Sequence, residues 1–121
     1  MKRRFRLTRS TDFKRVRNEG KSYAHPLVVL VAAHSAQQES RVGVSAGRAL
    51  GGAVQRNRAK RLLRETMRSI LPILPNGWDL VLIARGPLLV APFQDVKTAV
   101  SGLLRRASLI VDVNQKPGDV R

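Results

Sequence analysis

The residues with the clearest chemical pattern are cations that recur every four positions, at Arg56, Lys60, Arg64 and Arg68. They lie within GGAVQRNRAKRLLRETMR, in which Glu65 is the single acidic residue. On a helix, positions four apart lie nearly in line, so these side chains form one ladder. Like charges at this spacing destabilise an isolated helix by roughly 0.2–0.5 kcal/mol per pair. The pattern therefore indicates a surface for a polyanion, whose phosphates would make the same charges favourable.

Acidic and imidazole side chains show no comparable pattern. The sequence has no cysteine, and its eight acidic residues include no close pair of the kind that holds two metal ions. We expect Glu65 to form an ion pair within its helix, and Asp79 to start a strand after NGW as a turn residue. His25 and His34 are assigned structural or surface roles. We therefore predict no catalytic residue and no metal site in the protein itself.

The overall charge supports the same interpretation. The 121 residues include 23 Lys and Arg against 8 Asp and Glu, a formal net charge of +15. A charge of this size destabilises a small domain by self-repulsion, and nucleic acid would relieve it, with an anionic membrane surface as the second candidate. Arginine outnumbers lysine, which favours bidentate recognition of phosphates and bases. No apolar run reaches the length of a membrane-spanning helix, and MKRRFRL is not followed by an apolar segment, so we predict a cytoplasmic protein.

Three helices and four extended segments are predicted to position these residues. STDFKRVRNEG has a capping residue, apolar residues three apart and a terminal glycine, which is typical of a short helix. KSYAHPLVVLVAAH, interrupted by Pro26, and RVGVSAG are predicted to form antiparallel strands joined by short turns. The second helix is expected from Ala53 to about Leu71, followed by the strand WDLVLIAR. The third helix lies in PFQDVKTAVSGLLRRASLI, with its apolar face at Phe93, Val96, Val100, Leu103 and Leu104.

This order predicts one α+β domain, a sandwich with the sequence αβββαβα. We expect a basic arm over residues 1–9, a folded core over 10–111 and a disordered tail over 112–121. The second helix is expected to bury one side and to present its cations on another. The predicted core side consists of Ala59, Leu62, Leu63, Thr66 and Ile70.

The approach to the second helix, GRALGGAV, is rich in glycine. A helix N-terminus after such a loop favours phosphate through its free N–H groups, although a plain flexible loop is an equally good interpretation. The fingerprint GxxxxGK[ST] is absent, so nucleotide hydrolysis has no support.

RVGVSAGRALGGAVQRNRAKRLLRE resembles the signature of the bacterial ribonuclease P protein subunit. The later DLVLIAR, the upstream LTRSTDFKRVRNEGKS and the final LLRRASL match the same family in the same order. The resemblance implies a protein that binds a large catalytic RNA, with which it cuts the 5′ leader from precursor tRNA. It also implies a left-handed βαβ crossover around the signature helix. Catalysis is expected to be carried out by the RNA with magnesium, and the protein alone is expected to bind no cofactor stably. No membrane and no obligate protein partner are expected.

The resemblance also assigns residues to two RNA contacts. For the catalytic RNA, the motif and the ladder give Arg48, Arg56, Asn57, Arg58, Lys60, Arg61, Arg64 and Arg68. For the leader, the family uses a cleft between the first helix and the sheet, where Phe13 matches an aromatic. Two further aromatics of that cleft are replaced here by Arg17 and Val31, and the Ser-Lys-Lys after VGVS is reduced to Arg48. Leader binding is therefore expected to depend on Phe13 together with Arg15, Arg17 and Arg41.

Other functions fit the composition less well. A structural RNA-binding protein, such as a ribosomal component, has the same charge and size, and the AVQRNRAKR motif in context favours the ribonuclease P subunit over it. A membrane-surface helix would need bulky apolar residues exposed beside the charges. DNA binding by a helix-turn-helix lacks the paired short helices.

Overall fold

The structure is a computed structural model and describes residues 3–111. Its helices and strands follow the predicted order αβββαβα. The elements are α1 (Ser10–Glu19), β1 (Lys21–Ala24), β2 (Val28–His34), β3 (Arg41–Ala46), α2 (Ala53–Ile70), β4 (Trp78–Ala84) and α3 (Phe93–Arg106). Short 3-10 helices lie at Arg3–Phe5, Arg48–Leu50, Leu71–Ile73 and Gly86–Val90.

The four strands form one mixed sheet in the order β1-β2-β4-β3. The pairs β1–β2 and β2–β4 are antiparallel, whereas β3 pairs with β4 in parallel. The prediction that β3 continues an antiparallel series from β2 is therefore wrong, because β4 lies between them. The parallel pair needs a crossover, which α2 supplies. The left-handedness of that crossover remains a prediction.

Backbone geometry explains where α2 begins and ends. Gly51 has a φ of 124°, a conformation that favours glycine, and it turns the chain just before the helix. Gly52 is the extended residue at the helix start. At the other end Pro72 follows within two residues, since a proline cannot continue the hydrogen-bonding pattern of the helix. The predicted limits of the second helix are thus confirmed within one residue.

The two faces of the sheet have different cores. Alternate strand residues, such as Leu30, Leu80 and Leu82, face α2 and α3 and are fully buried. The intervening residues, such as Val31 and Val81, form a smaller cluster beneath α1. Each fully buried side chain of this size contributes about 1.5–3 kcal/mol of transfer free energy. The sheet therefore has one face covered by two helices and another that α1 covers only in part.

Part of the predicted basic arm packs against this fold. Arg6 forms a parallel bridge with Val42, and the N–H of Leu7 donates to the Val42 carbonyl at 2.9 Å. Leu7 is buried in the cluster beneath α1. The chain thus joins the sheet edge at β3 before α1 begins. The predicted tail, 112–121, lies outside the described residues.

Helix α3 agrees with its predicted apolar face except at one position. Val96, Val100, Leu103 and Leu104 are buried, but Phe93 is 41% exposed. Phe93 is the first residue of the helix, and its ring lies near the Lys97 ammonium and beside the end of α2 instead. In the part of the chain that is described, no helix has the length and apolar character needed to cross a membrane.

Candidate nucleic-acid interface

One side of α2 is a basic face, defined here as Arg56, Asn57, Arg58, Lys60, Arg61, Arg64 and Arg68. Its members extend from the edge of the core side, where Arg56, Lys60 and Arg64 are half-buried, to the solvent side. The core contacts of α2 are Ala59, Leu63, Thr66, Met67 and Ile70. Leu62, predicted to be a full core residue, is only partly buried, and Met67 takes the central position that the prediction left out. The separation of a core side from a basic side is confirmed.

The ladder winds from the core edge towards solvent. Because four residues overshoot one helical turn, each member is rotated by about 40° from the last. Arg56, Lys60 and Arg64 are accordingly half-buried, whereas Arg68 is exposed. Burial lowers the pKa of Arg64, and the nearby positive charge of Arg6 lowers it further. Arg6, which the sequence did not single out, therefore belongs beside the basic face.

Acidic neighbours are almost absent from this surface. Within residues 3–111, Glu65 pairs with Arg68, as predicted, and no other member of the basic face has an ion-pair partner. Arg58 and Arg61 are exposed, and Arg48 is exposed on the 3-10 turn that leads into the helix. The Nε of Arg56 is buried without a hydrogen-bond partner in the described chain, which costs about 1–3 kcal/mol. Folding alone does not explain this arrangement.

The predicted cleft residues lie on the opposite face of the sheet, around α1. Phe13 is half-buried and packs closely on Gly43, where an added Cβ would lie 2.6 Å from the ring Cζ. Glycine at this strand position thus makes room for the ring. Phe13, Val16 and Leu7 belong to the same apolar cluster, so the ring both supports the helix and forms part of the surface.

Two of the predicted cleft arginines are paired with a buried carboxylate. Asp79 is fully buried, and both of its oxygens accept hydrogen bonds from Arg41, at 3.1 Å from Nε and 2.9 Å from Nη2. Arg15 donates to the same carboxylate through Nη2. The hydrogen bond to Asp79 raises the pKa of Arg41, against the opposing effect of its burial. The predicted position of Asp79 at the start of a strand is confirmed, but its predicted role as a turn residue is wrong, because its buried carboxylate joins α1 to β3.

Beside α1 the sheet has an open row of residues from all four strands. Register places Ala24, Val29, Ile83 and Ser45 side by side across the sheet. Val29, Ile83 and Ser45 are half-buried, and Ala24 is exposed. Arg17 is exposed at the edge of this row, with its Nη2 3.5 Å from the Ser45 Oγ. The result is an open surface, called the groove below, with an apolar floor and a cation on its rim. Such a surface is suited to unpaired bases joined by phosphates.

Side chains with catalytic potential have structural contacts instead. His25 accepts the Leu27 N–H through Nδ1 at 3.0 Å, and the His34 ring packs on Trp78 with centroids 4.0 Å apart. Within residues 3–111 no three acidic or imidazole side chains come together as metal ligands. The arrangement of the described residues is suited to binding anions and bases.

Comparison with known proteins gives a consistent result. A family model described as ribonuclease P matches residues 1–108. The chain is similar to the ribonuclease P protein component of Chloroflexus aurantiacus, at 41% identity over 91% of this chain and 82% of the relative. It is also similar in structure to the RNase P protein of Staphylococcus aureus, with a TM-score of 0.79 and 26% identity over 87% and 96% of the two chains. The RNase P protein of Thermotoga maritima has a TM-score of 0.74 and 32% identity over 84% and 96%.

Proposed function

This chain belongs to the ribonuclease P protein family, the protein component of the tRNA 5′-processing ribonucleoprotein, and on that premise we propose that its two surfaces bind two different RNA segments. The basic face of α2 binds the ribonuclease P RNA. The groove beside α1 binds the 5′ leader of precursor tRNA. Since the surfaces lie on opposite faces of one sheet, both RNAs can bind at once.

The observation that supports this proposal most directly is the unpaired charge on α2. Exposed arginines without an ion-pair partner are free to donate to phosphates, and Arg58 and Arg61 have no such partner within residues 3–111. Each phosphate contact also releases counterions, so binding should weaken steeply as salt is raised. A fold-stabilising role would instead require partners of opposite charge.

The groove supports leader binding by its shape and chemistry. A single strand offers base faces and phosphates, and the open row with Phe13 offers apolar and aromatic surface beside Arg17. Base stacking on an aromatic ring is worth about 1–3 kcal/mol. Arg15 and Arg41 contribute chiefly by fixing α1 over the sheet, because Asp79 neutralises much of their charge.

The chemical step belongs to the RNA in this proposal. Magnesium would be held by RNA phosphates, and the protein would position the leader and reduce repulsion between the two RNAs. The predicted cytoplasmic location follows from these RNA partners and remains a prediction.

The test is cleavage of precursor tRNA by a bacterial ribonuclease P RNA at low magnesium, with and without this protein. The proposal predicts a correct mature 5′ end at a much higher rate when both are present. The matched control is the variant Arg58→Ala with Arg61→Ala, which should stimulate little at the same protein concentration. Tight RNA binding without stimulation, repeated with RNAs from two bacterial sources, would contradict the proposal and favour a structural RNA-binding role.

A further inference from the structure

A cavity of about 530 Å³ lies at the far end of α2, away from the groove. The N-terminal 3-10 helix forms one wall, and the end of α2 with the following 3-10 turn forms the other. Its lining residues are Arg4, Phe5, Glu39, Ser40, Arg68, Leu71, Pro72, Leu74 and Asn76. This volume is within the range of small-ligand sites in proteins, which is about 300–1,000 Å³.

The walls offer flat and apolar surfaces. The Arg4 guanidinium lies over the Phe5 ring, with its Cζ 4.8 Å from the ring centroid, so two planar groups lie together in one wall. Leu71 and Leu74 form an apolar floor, and Leu74 is buried. Unpaired bases are recognised by such surfaces, through stacking on aromatic rings and on arginine planes.

The charges of the cavity are arranged for a nucleotide. Arg4 and Arg68 are both more than 60% exposed at the side chain, so they can reach phosphates at the rim. Glu39 lines the same cavity and forms an ion pair with Arg4, in which the Glu39 Oε2 lies 3.3 Å from the Arg4 Nε. Arg68 is also the last member of the ladder on α2, so the cavity continues the basic face without a break.

We propose that this cavity binds one unstacked guanine nucleotide of the RNA that lies along the basic face. The inference rests on the proposed function, since it takes the RNA to follow α2. The Arg4 guanidinium, which lies over the Phe5 ring, stacks on the base, Arg68 contacts a neighbouring phosphate, and Glu39 selects the base. The site would fix the register of the RNA at one end of the helix.

Guanine follows from hydrogen-bonding chemistry. A carboxylate only accepts hydrogen bonds, and it can accept two from neighbouring donors. Guanine presents two adjacent donors on its Watson–Crick edge, N1–H and the exocyclic amino group, which match the two oxygens of Glu39. Adenine, cytosine and uracil each place an acceptor next to their donor on that edge, and this acceptor would repel the carboxylate.

The experiment is an NMR titration of the full chain labelled with 15N, using GMP, UMP and inorganic phosphate, followed by the single-stranded RNAs AAGAA and AAUAA. We expect GMP to shift the amide signals of Phe5, Ser40 and Asn76, with weaker shifts from UMP. Phosphate alone should shift signals along α2 and leave Phe5 unchanged. AAGAA should bind more tightly than GMP, because the rim arginines contact flanking phosphates.

Two pairs of variants make the test specific. Glu39→Gln should reduce the preference for GMP over UMP by about fivefold or more, the value of a bidentate contact to a base. Its matched control, Glu19→Gln, removes an exposed carboxylate from α1 and should keep the preference. Phe5→Ala should abolish the shifts, whereas Tyr23→Ala removes a half-buried ring from β1, at the opposite edge of the sheet, and should not.

Three results would overturn the inference. One is equal binding of GMP and UMP by the unchanged protein, and another is an unchanged preference in Glu39→Gln. Equal affinity for GMP and AAGAA would mean that the ligand is a free nucleotide and not RNA. Precursor tRNA cleavage, measured on the same samples, separates the two proposals. If the protein stimulates cleavage but no nucleotide binds in the cavity, the further inference is wrong and the proposed function still holds.

Discussion

The arginines on the two faces of the sheet have opposite environments. Around α1, Arg15 and Arg41 share the fully buried carboxylate of Asp79 and lie close to Asp12 as well. On α2, the basic face has one acidic neighbour among the described residues, Glu65, and that pair is exposed. The same residue type is therefore neutralised in one region and left unpaired in the other.

This difference separates two uses of arginine. A guanidinium bound to a buried carboxylate is fixed in place, and breaking such a pair leaves a charge without a partner. Exposed arginines without partners add little to stability and repel one another, but they are available to phosphates. We therefore expect substitutions around Asp79 to change stability and substitutions on α2 to change RNA affinity.

The largest effect is expected from Arg58→Ala combined with Arg61→Ala. The affinity for ribonuclease P RNA should fall roughly a hundredfold, on the basis of about 1.5 kcal/mol for each charged hydrogen bond lost. The slope of log affinity against log salt should decrease by about two, because two phosphate contacts are removed. Filter binding over a salt series measures both quantities. Arg105→Ala on α3 is the control, and loss of the circular dichroism signal in the double variant would show that these arginines are structural.

Asp79→Ala tests whether the paired arginines around α1 stabilise the fold. The free energy of unfolding should fall by about 2–3 kcal/mol, below the usual cost of breaking a buried pair because the two arginines are partly solvated. Urea denaturation measures this change, with the exposed Asp95→Ala as control. The affinity for ribonuclease P RNA should stay within about twofold of that of the unchanged protein, because Asp79 lies on the α1 face of the sheet and not on α2. A twofold change corresponds to about 0.4 kcal/mol, which is less than the loss of one phosphate contact. Unchanged stability would mean that the buried carboxylate does not hold α1 to the sheet.

Phe13→Leu sharpens the assignment of the groove. Leucine keeps apolar contact with Gly43 but loses the ring, so the affinity for precursor tRNA should fall about fivefold to tenfold through lost stacking. The affinity for mature tRNA should not change, and stability should fall by less than about 1.5 kcal/mol. Fluorescence binding of the two tRNAs to the assembled ribonucleoprotein compares them directly. Equal losses for both would place the ring in the core and not in the leader contact.

The smallest effect is expected from Glu65→Gln. Exposed ion pairs contribute at most about 1 kcal/mol, and pairs on a helix surface less, so stability should change by under 0.5 kcal/mol, about one experimental error. Affinity for ribonuclease P RNA should rise slightly, because the substitution removes the negative charge that is paired with Arg68. The same filter-binding series measures the increase. A clear loss of affinity would mean that Glu65 orients Arg68 for the RNA.

Local patterns explain what could be predicted. The limits of α2 followed from the glycines before it, the prolines after it and the spacing of its apolar residues, all within one stretch of chain. Its basic side followed from the same spacing, because a helix converts sequence separation directly into direction. Family membership was also accessible, since the signature around Arg56–Arg58 is continuous in sequence.

Contacts between distant segments explain what could not be predicted from the sequence. Asp79 meets Arg15 and Arg41 across separations of 64 and 38 residues, and no local pattern encodes such a meeting. The placement of β4 between β2 and β3 likewise depends on strand pairing, for which alternation of apolar residues gives no order. The sequence by itself therefore determined the elements, the charge of α2 and the family. Only the tertiary structure decided which arginines are neutralised and where the open row lies. It also decided that Phe5 and Arg68 line one cavity. Each of these depends on packing between segments far apart in the chain.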